Sequence, residues 1–169
     1  MKTLLISRHA KSSWADAALA DFDRPLNERG LSAAPFMGEL MLRKGFSPAI
    51  ILSSPAVRAR TTAELLKQSG SLEAEIRFDH RIYEASPQSL RQVVAELDDS
   101  IDSAMLVGHN PGIEGFIRFL TGQLEPMPTA ALAVIDLYVD KWRAIDDGCA
   151  ELKSVFRPKD EMGKRGLTD

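Results

Sequence analysis

Two of the three histidines in this chain, His9 and His109, stand where strongly apolar runs stop. Leu4 to Ile6 gives way to Ser7-Arg8-His9, and Ala104 to Val107 gives way to Gly108-His109-Asn110. A third run, Ala49 to Leu52, ends at Ser53-Ser54-Pro55, with Arg58 and Arg60 about a turn further on. If those runs are parallel strands, their ends meet on one sheet edge, where open α/β sheets bind ligands. Two histidines, at least two arginines and a helix N-terminus then converge. Arginine donates planar, paired hydrogen bonds to phosphate and stays cationic. A helix N-terminus adds backbone donors and its dipole. A neutral histidine can attack phosphorus and hold the group covalently, and a second can stabilise charge or handle protons. Singly, each residue has an ordinary structural role open to it. Arg8-His9 reads as a surface pair, Asn110 before Pro111 as a helix cap, and Arg58 and Arg60 as solvent-facing cations. Their joint placement is what points to phosphoryl chemistry.

The positioning elements follow from the pattern. Thr3 to Ser7 reads as a buried strand and residues 15 to 26 as a polar loop. Leu31, Phe36, Leu40 and Leu42 give a helix to about Lys44, started or kinked near Ser32 by Pro35 and ended by Gly45. Ala49 to Leu52 is a second strand. Ser54 as N-cap and Pro55 at the first helical position open a helix through Leu65 and Leu66 to Gly70. Ile76 to Phe78 is a weaker strand. Ser86-Pro87 repeats the cap signature before Leu90, Val93, Val94 and Leu97. Ala104 to Val107 is a strand, and Ile113, Phe116, Ile117 and Leu120 mark a helix to Gly122. Ala131 to Val139, Trp142 to Ile145 and Glu151 to Phe156 read as adjacent strands, with Asp146-Asp147-Gly148 as a turn. The sum is a three-layer α/β/α domain over 1–158, its mostly parallel sheet edged by antiparallel C-terminal strands. Residues 159–169 read as a loose tail.

Bulk properties narrow the function. The chain has 169 residues, 44% apolar and 27% charged, with net charge −3. That suits one globular domain with a sizeable core. A DNA-binding chain normally carries a basic surplus, so nucleic acid is not an expected partner. Cys149 is the only cysteine, which leaves no intramolecular disulfide and no CxxC zinc spacing. The N-terminal apolar run is too short for a signal peptide or a membrane span, so a cytoplasmic setting is expected.

Arg8-His9-Ala10 resembles the Arg-His-Gly motif of the histidine phosphatase superfamily, which includes the cofactor-dependent phosphoglycerate mutases. Residues 53 to 63, from Ser53-Ser54-Pro55 through Arg58, resemble its second motif, and Gly108-His109-Asn110-Pro111 its third. Leu26-Asn27-Glu28-Arg29-Gly30 resembles the family's Leu-Thr-x-x-Gly segment. The compact length, the Arg-His-Ala-Lys-Ser opening and Arg157-Pro158 resemble the SixA-type phosphohistidine phosphatases. The resemblance implies a phosphoglycerate mutase-like fold, with His9 as nucleophile. It implies Arg8, Arg58 and His109 as the rest of the phosphate pocket, and neither metal nor organic cofactor. Ala10 stands where the family has glycine, so the backbone there is expected to be ordinary. Larger members take a general acid from between the second and third motifs. Glu84 is the candidate in that interval, with Asp21 and Asp23 as alternatives.

The expected activity is phosphatase chemistry through a phosphohistidine intermediate, on a phosphohistidine-bearing protein domain. A small phosphate ester, or a non-catalytic phosphate-binding module, is the alternative. An imidazole leaving group, with a pKa of about 6.5, asks less of a general acid than an alkoxide does. A monomer is expected. Lys11, Ser12 and Trp14 are placed at the substrate rim or in a solvated loop. His80 is expected to pack on the surface, Met37 and Met41 in the core, and Trp142 against the sheet.

Overall fold

The computed structural model describes residues 1–166. A six-stranded sheet has the order β3-β2-β4-β1-β5-β6. The strands are β1 (Lys2–Arg8), β2 (Ile50–Ser53), β3 (Glu75–Phe78), β4 (Ser103–Gly108), β5 (Leu132–Leu137) and β6 (Ala150–Phe156). The first four are mutually parallel, and β5 and β6 join as antiparallel edges, as the sequence pattern implies. The helices are α1 (Glu28–Lys44), α2 (Val57–Ser69), α3 (Pro87–Ala95), α4 (Gly112–Thr121) and α5 (Pro158–Gly166).

Side chains alternate across the sheet. Leu4, Ile6, Leu52 and Leu106 pack on α3 and α4 in one core, joined by fully buried Trp142. Leu5, Ile51, Met105 and Val107 pack on α1 and α2 in the other. Both faces are covered, which is why β1, β2 and β4 read as unbroken apolar runs. Met37 and Met41 lie in the second core as expected, while Leu31 and Leu42 face solvent.

Four expectations are corrected. Helix α1 begins at Glu28, because the Asn27 side chain accepts from the Gly30 N–H at 2.9 Å and caps it; Pro35 lies inside the helix. Ser54 does not cap α2, whose N-cap Ala56 makes no side-chain bond. The stretch Trp142 to Ile145 is not a strand. Trp142–Ala144 is a 3-10 turn, with the indole donating to the Ile101 carbonyl at 2.8 Å and the Trp142 N–H donating to Asp99. Those bonds bury the ring at the sheet end opposite the histidines. Finally, the segment expected to be loose is helical from Pro158 to Gly166, and Met162 packs on the second core. Residues 167–169 of that tail lie outside the described residues.

Candidate active site

Register brings the two histidines together. Arg8 pairs with Gly108 across parallel strands β1 and β4, so His9 and His109 each leave the sheet one residue later. The His9 N–H donates to the Gly108 carbonyl at 3.0 Å, and the two rings stand 5.0 Å apart. Just past His9 the chain is tied down. The Ala10 N–H donates to Thr62 Oγ1 at 2.9 Å, and that hydroxyl donates to the Arg58 carbonyl at 2.7 Å. This ties β1 to the first turns of α2, the helix that carries Arg58.

Gly30 explains the Leu26–Gly30 signature. A methyl group there would lie 2.2 Å from the Lys11 carbonyl oxygen, so α1 can pack this close only without one. Gly112 plays the matching part in α4, where a methyl would lie 2.3 Å from the Ala85 carbonyl oxygen.

Arg8, His9, Arg58 and His109 line one cavity of about 230 Å³. The structure adds Arg24, which sequence reasoning left in a polar loop. Ser12 bridges Leu26, and the Ser13 N–H donates to the Pro25 carbonyl at 2.8 Å, folding the loop back on itself. Arg24 is thereby buried beside His9, its guanidinium 3.5 Å over the Trp14 ring. The other lining residues, Lys11, Ser12, Trp14, Asn110 and Thr129, include no carboxylic acid. Arg60 is not part of the cavity; it is exposed and stacks on Phe78. His80 is exposed and stacks on Phe22, as a surface-packing histidine should.

Asp21 organises the rim. It accepts from Arg58 Nη1 on its carbonyl at 2.6 Å and from Nη2 on its carboxylate at 2.9 Å. Arg24 Nε and the Tyr83 hydroxyl also donate to the Asp21 carboxylate. The Tyr83 bond, helped by Arg58, holds the Asp21 carboxyl down at about 2. Tyr83 stands edge-on to His109 and to Phe22, so aromatic contacts join the two rim loops. Glu84 is exposed in a neighbouring depression of about 330 Å³, which shares Arg58 and His109 with the His9 cavity. No carboxylate lines the cavity itself, so the expected acid sits one depression away.

Electrostatics fit an anion. Burial, and then the flanking arginines, push the His9 imidazole down to about 4. Burial, then His9 where it is protonated, then Arg58, push His109 to about 3. Both rings are therefore neutral at pH 7. His9 Nδ1 lies 2.7 Å from the Ala10 carbonyl, which can only accept. That bond places the proton on Nδ1 and leaves Nε2 with a free lone pair. His109 Nε2 lies 2.8 Å from Ser54 Oγ, so Ser54 serves the histidine rather than a helix cap. On the far wall, Asn110 donates to Glu114 and to the Met127 carbonyl, which also accepts from Arg8 Nη1 at 3.2 Å. Arg8 Nε, Arg24 Nη1, Arg58 Nε and His109 Nδ1 are buried nitrogens without a protein partner. Four such groups around one small cavity suit a ligand rich in acceptor oxygens.

A neutral, oriented imidazole among buried arginines, at the carboxyl ends of parallel strands in a three-layer α/β/α sandwich, defines a phosphoryl-transfer enzyme of the phosphoglycerate mutase-like class. The model of the histidine phosphatase superfamily (branch 1) matches residues 4–111, and the chain belongs to that family. It is an enzyme of the phosphatase type. An uncharacterized protein of Mycobacterium leprae is 32% identical over 167 residues, covering 90% of this chain and 99% of the relative. A crystal structure of a candidate phosphohistidine phosphatase SixA from Agrobacterium tumefaciens superposes with a TM-score of 0.81 at 29% identity, covering 93% of this chain and 98% of that one. A mycobacterial glucosyl-3-phosphoglycerate phosphatase shares the fold, with a TM-score of 0.69 at 18% identity over 90% of this chain and 97% of that one. Among the described residues, no helix is long and apolar enough to cross a membrane.

Proposed function

We propose that this chain hydrolyses protein phosphohistidine through a covalent phosphoryl-His9 intermediate. His9 Nε2 attacks phosphorus and the substrate P–N bond breaks. The released imidazole keeps its electron pair and takes a proton from water or a nearby acid. Water then attacks the phosphoryl-His9, the P–Nε2 bond breaks, and phosphate leaves. Arg8, Arg24, Arg58 and His109 bind the equatorial oxygens, where charge is greatest in the transition state.

The observation that carries the choice of substrate is the acid-free lining of the His9 cavity. Asp21 is bound to two arginines and to Tyr83, and at a pKa of about 2 it holds no proton to give at neutral pH. An alkoxide leaving from such a cavity would lack a donor. An imidazole, with a pKa of about 6.5, takes its proton from neutral solution. The likeness to the Agrobacterium structure agrees with this reading. A reducing, cytoplasmic setting remains part of the proposal.

One observation favours a second reading. Glu84 lines the adjoining depression with Arg58 and His109, and a small phosphomonoester spanning both depressions would bring its leaving oxygen to that carboxyl. The test is phosphate release from a phosphohistidine-bearing domain beside a panel of phosphomonoesters, with His9→Ala as control for both. Preferential, His9-dependent release from phosphohistidine is expected. Preferential ester hydrolysis that falls in Glu84→Gln would replace the first reading with the second.

A further inference from the structure

Beside the catalytic cavity lies a larger groove of about 710 Å³. The two share Lys11 and Thr129 as a common wall. Four segments distant in sequence build the groove, and three of them bring a cation. Lys11 follows the nucleophile, Arg29 stands in the first turn of α1, and Lys159 in the first turn of α5. Met162 supplies an apolar patch. Lys11, Arg29 and Lys159 form no ion pair or side-chain hydrogen bond among the described residues, and Glu28 is the only carboxylate in the lining. An unpaired cationic trench in a chain of net charge −3 is a local reversal of sign. Such a trench concentrates anionic groups and sets their register.

We propose that this groove receives an acidic segment of the phosphoprotein substrate, lying beside the phosphorylated side chain. The proposal rests on the protein phosphohistidine reading above and adds what that substrate must look like. The groove is larger than the cavity that takes the phosphoryl group, and it opens directly from it, so a chain leaving the cavity past Lys11 and Thr129 enters it. Carboxylates of that chain meet Lys11, Arg29 and Lys159, and its aliphatic stems meet Met162. The part of the chain matched by the family model ends at residue 111, whereas Lys159 and Met162 come from α5. The groove is therefore completed by a segment outside the matched region, where substrate choice can differ while the chemistry is kept.

The test compares two phosphohistidine peptides of one length, one flanked by Asp and Glu, the other by Lys. For the native enzyme, kcat/KM should favour the acidic peptide at least about fivefold at low salt, and the gap should shrink as salt rises. The double variant Arg29→Glu, Lys159→Glu should reverse the preference and gain on the lysine-flanked peptide, which shows at once that it is folded. Both changes put an acid in the first turn of a helix, where it suits the dipole. Anisotropy of the labelled, unphosphorylated acidic peptide reads the groove without any chemistry. Peptide binding lost in the double variant supports the groove even if phosphohistidine is not turned over, an outcome that would sink the substrate reading alone. Equal kcat/KM for the two peptides, or a preference and binding that survive the double variant, overturns the groove.

Discussion

Arg58 gives both terminal nitrogens to Asp21, Nη1 to the backbone carbonyl and Nη2 to the carboxylate, while its Nε stays buried without a partner. The guanidinium is thus fixed by its outer edge before substrate arrives. Asp21→Ala should leave Arg58 free to reorient. Loss of about tenfold in kcat/KM is expected, since misplacing a phosphate ligand by an ångström costs that much or more. Steady-state kinetics check it, and an unchanged kcat/KM would show that Arg58 needs no clamp. The carboxyl is depressed in the folded protein to about 2. Its stabilising contribution is therefore complete above about pH 4 and fades as pH falls toward 2.

Replacing Arg58 itself separates charge from shape. Lysine keeps the charge but cannot reach two Asp21 oxygens and a phosphate with one ammonium. Arg58→Lys should therefore lose most of what Arg58→Ala loses, about a hundredfold in kcat. Recovery of near-native rate by lysine would mean that charge alone matters here.

The two buried histidines set a pH signature. Their folded values, about 4 and about 3, lie below the ordinary 6.5. Between about pH 6.5 and 4 the unfolded chain binds protons that the folded chain refuses. Stability must then rise with pH across that window. Denaturant midpoints measured from pH 4 to 7 should show this slope, reduced in His109→Gln. The acid limb of kcat/KM should be centred near pH 4, because His9, the proposed nucleophile, stays unprotonated down to that value. A limb centred at 6.5 would contradict the burial of the imidazole.

Phosphate and vanadate should raise the melting temperature with ligand concentration, because they bind only the folded cavity. Arg24→Ala should weaken this shift, since Arg24 brings a buried guanidinium nitrogen to the same cavity. A shift of native size in that variant would place Arg24 outside the phosphate site.

Gly30→Ala should cost about 1–3 kcal/mol in chemical denaturation, because the new methyl meets the Lys11 carbonyl at 2.2 Å. Activity should fall with it, as that backbone follows the nucleophile by two residues. Native stability would show that α1 can move away freely.

The strands and most helices were legible because both sheet faces are buried and their apolar runs end abruptly. His9, His109, Arg8 and Arg58 were legible for the same reason, being the first ionisable residues past those runs. Arg24 and Tyr83 were not, and Asp21 was legible only as an alternative acid, not as the clamp on Arg58. They sit in irregular loops, and only the fold-back of residues 12 to 26 brings Arg24 to His9. Ser54 before Pro55 looked like a helix cap, and nothing local reveals that its hydroxyl faces His109 from 55 residues away. The stretch Trp142 to Ile145 carried strand-like apolarity, but Trp142 spends it on a tertiary contact with Ile101. The Pro158 segment is polar apart from Met162, which packs against the second core, a tertiary contact that nothing local announces.

Strand β1 ends at Arg8 and leads directly into His9, and its neighbours are β4 and β5. Neither begins before residue 103. A growing polypeptide therefore exposes β1 with no edge to join until β4 has been made. His9 acquires its wall only when the end of β4 has left the ribosome. Such long-range closure is slow, and an unpaired apolar strand is prone to wrong associations while it waits. Nascent chains halted before β4 should thus be sticky and inert, and the earliest species able to carry a phosphoryl group is one in which β1 and β4 have already met.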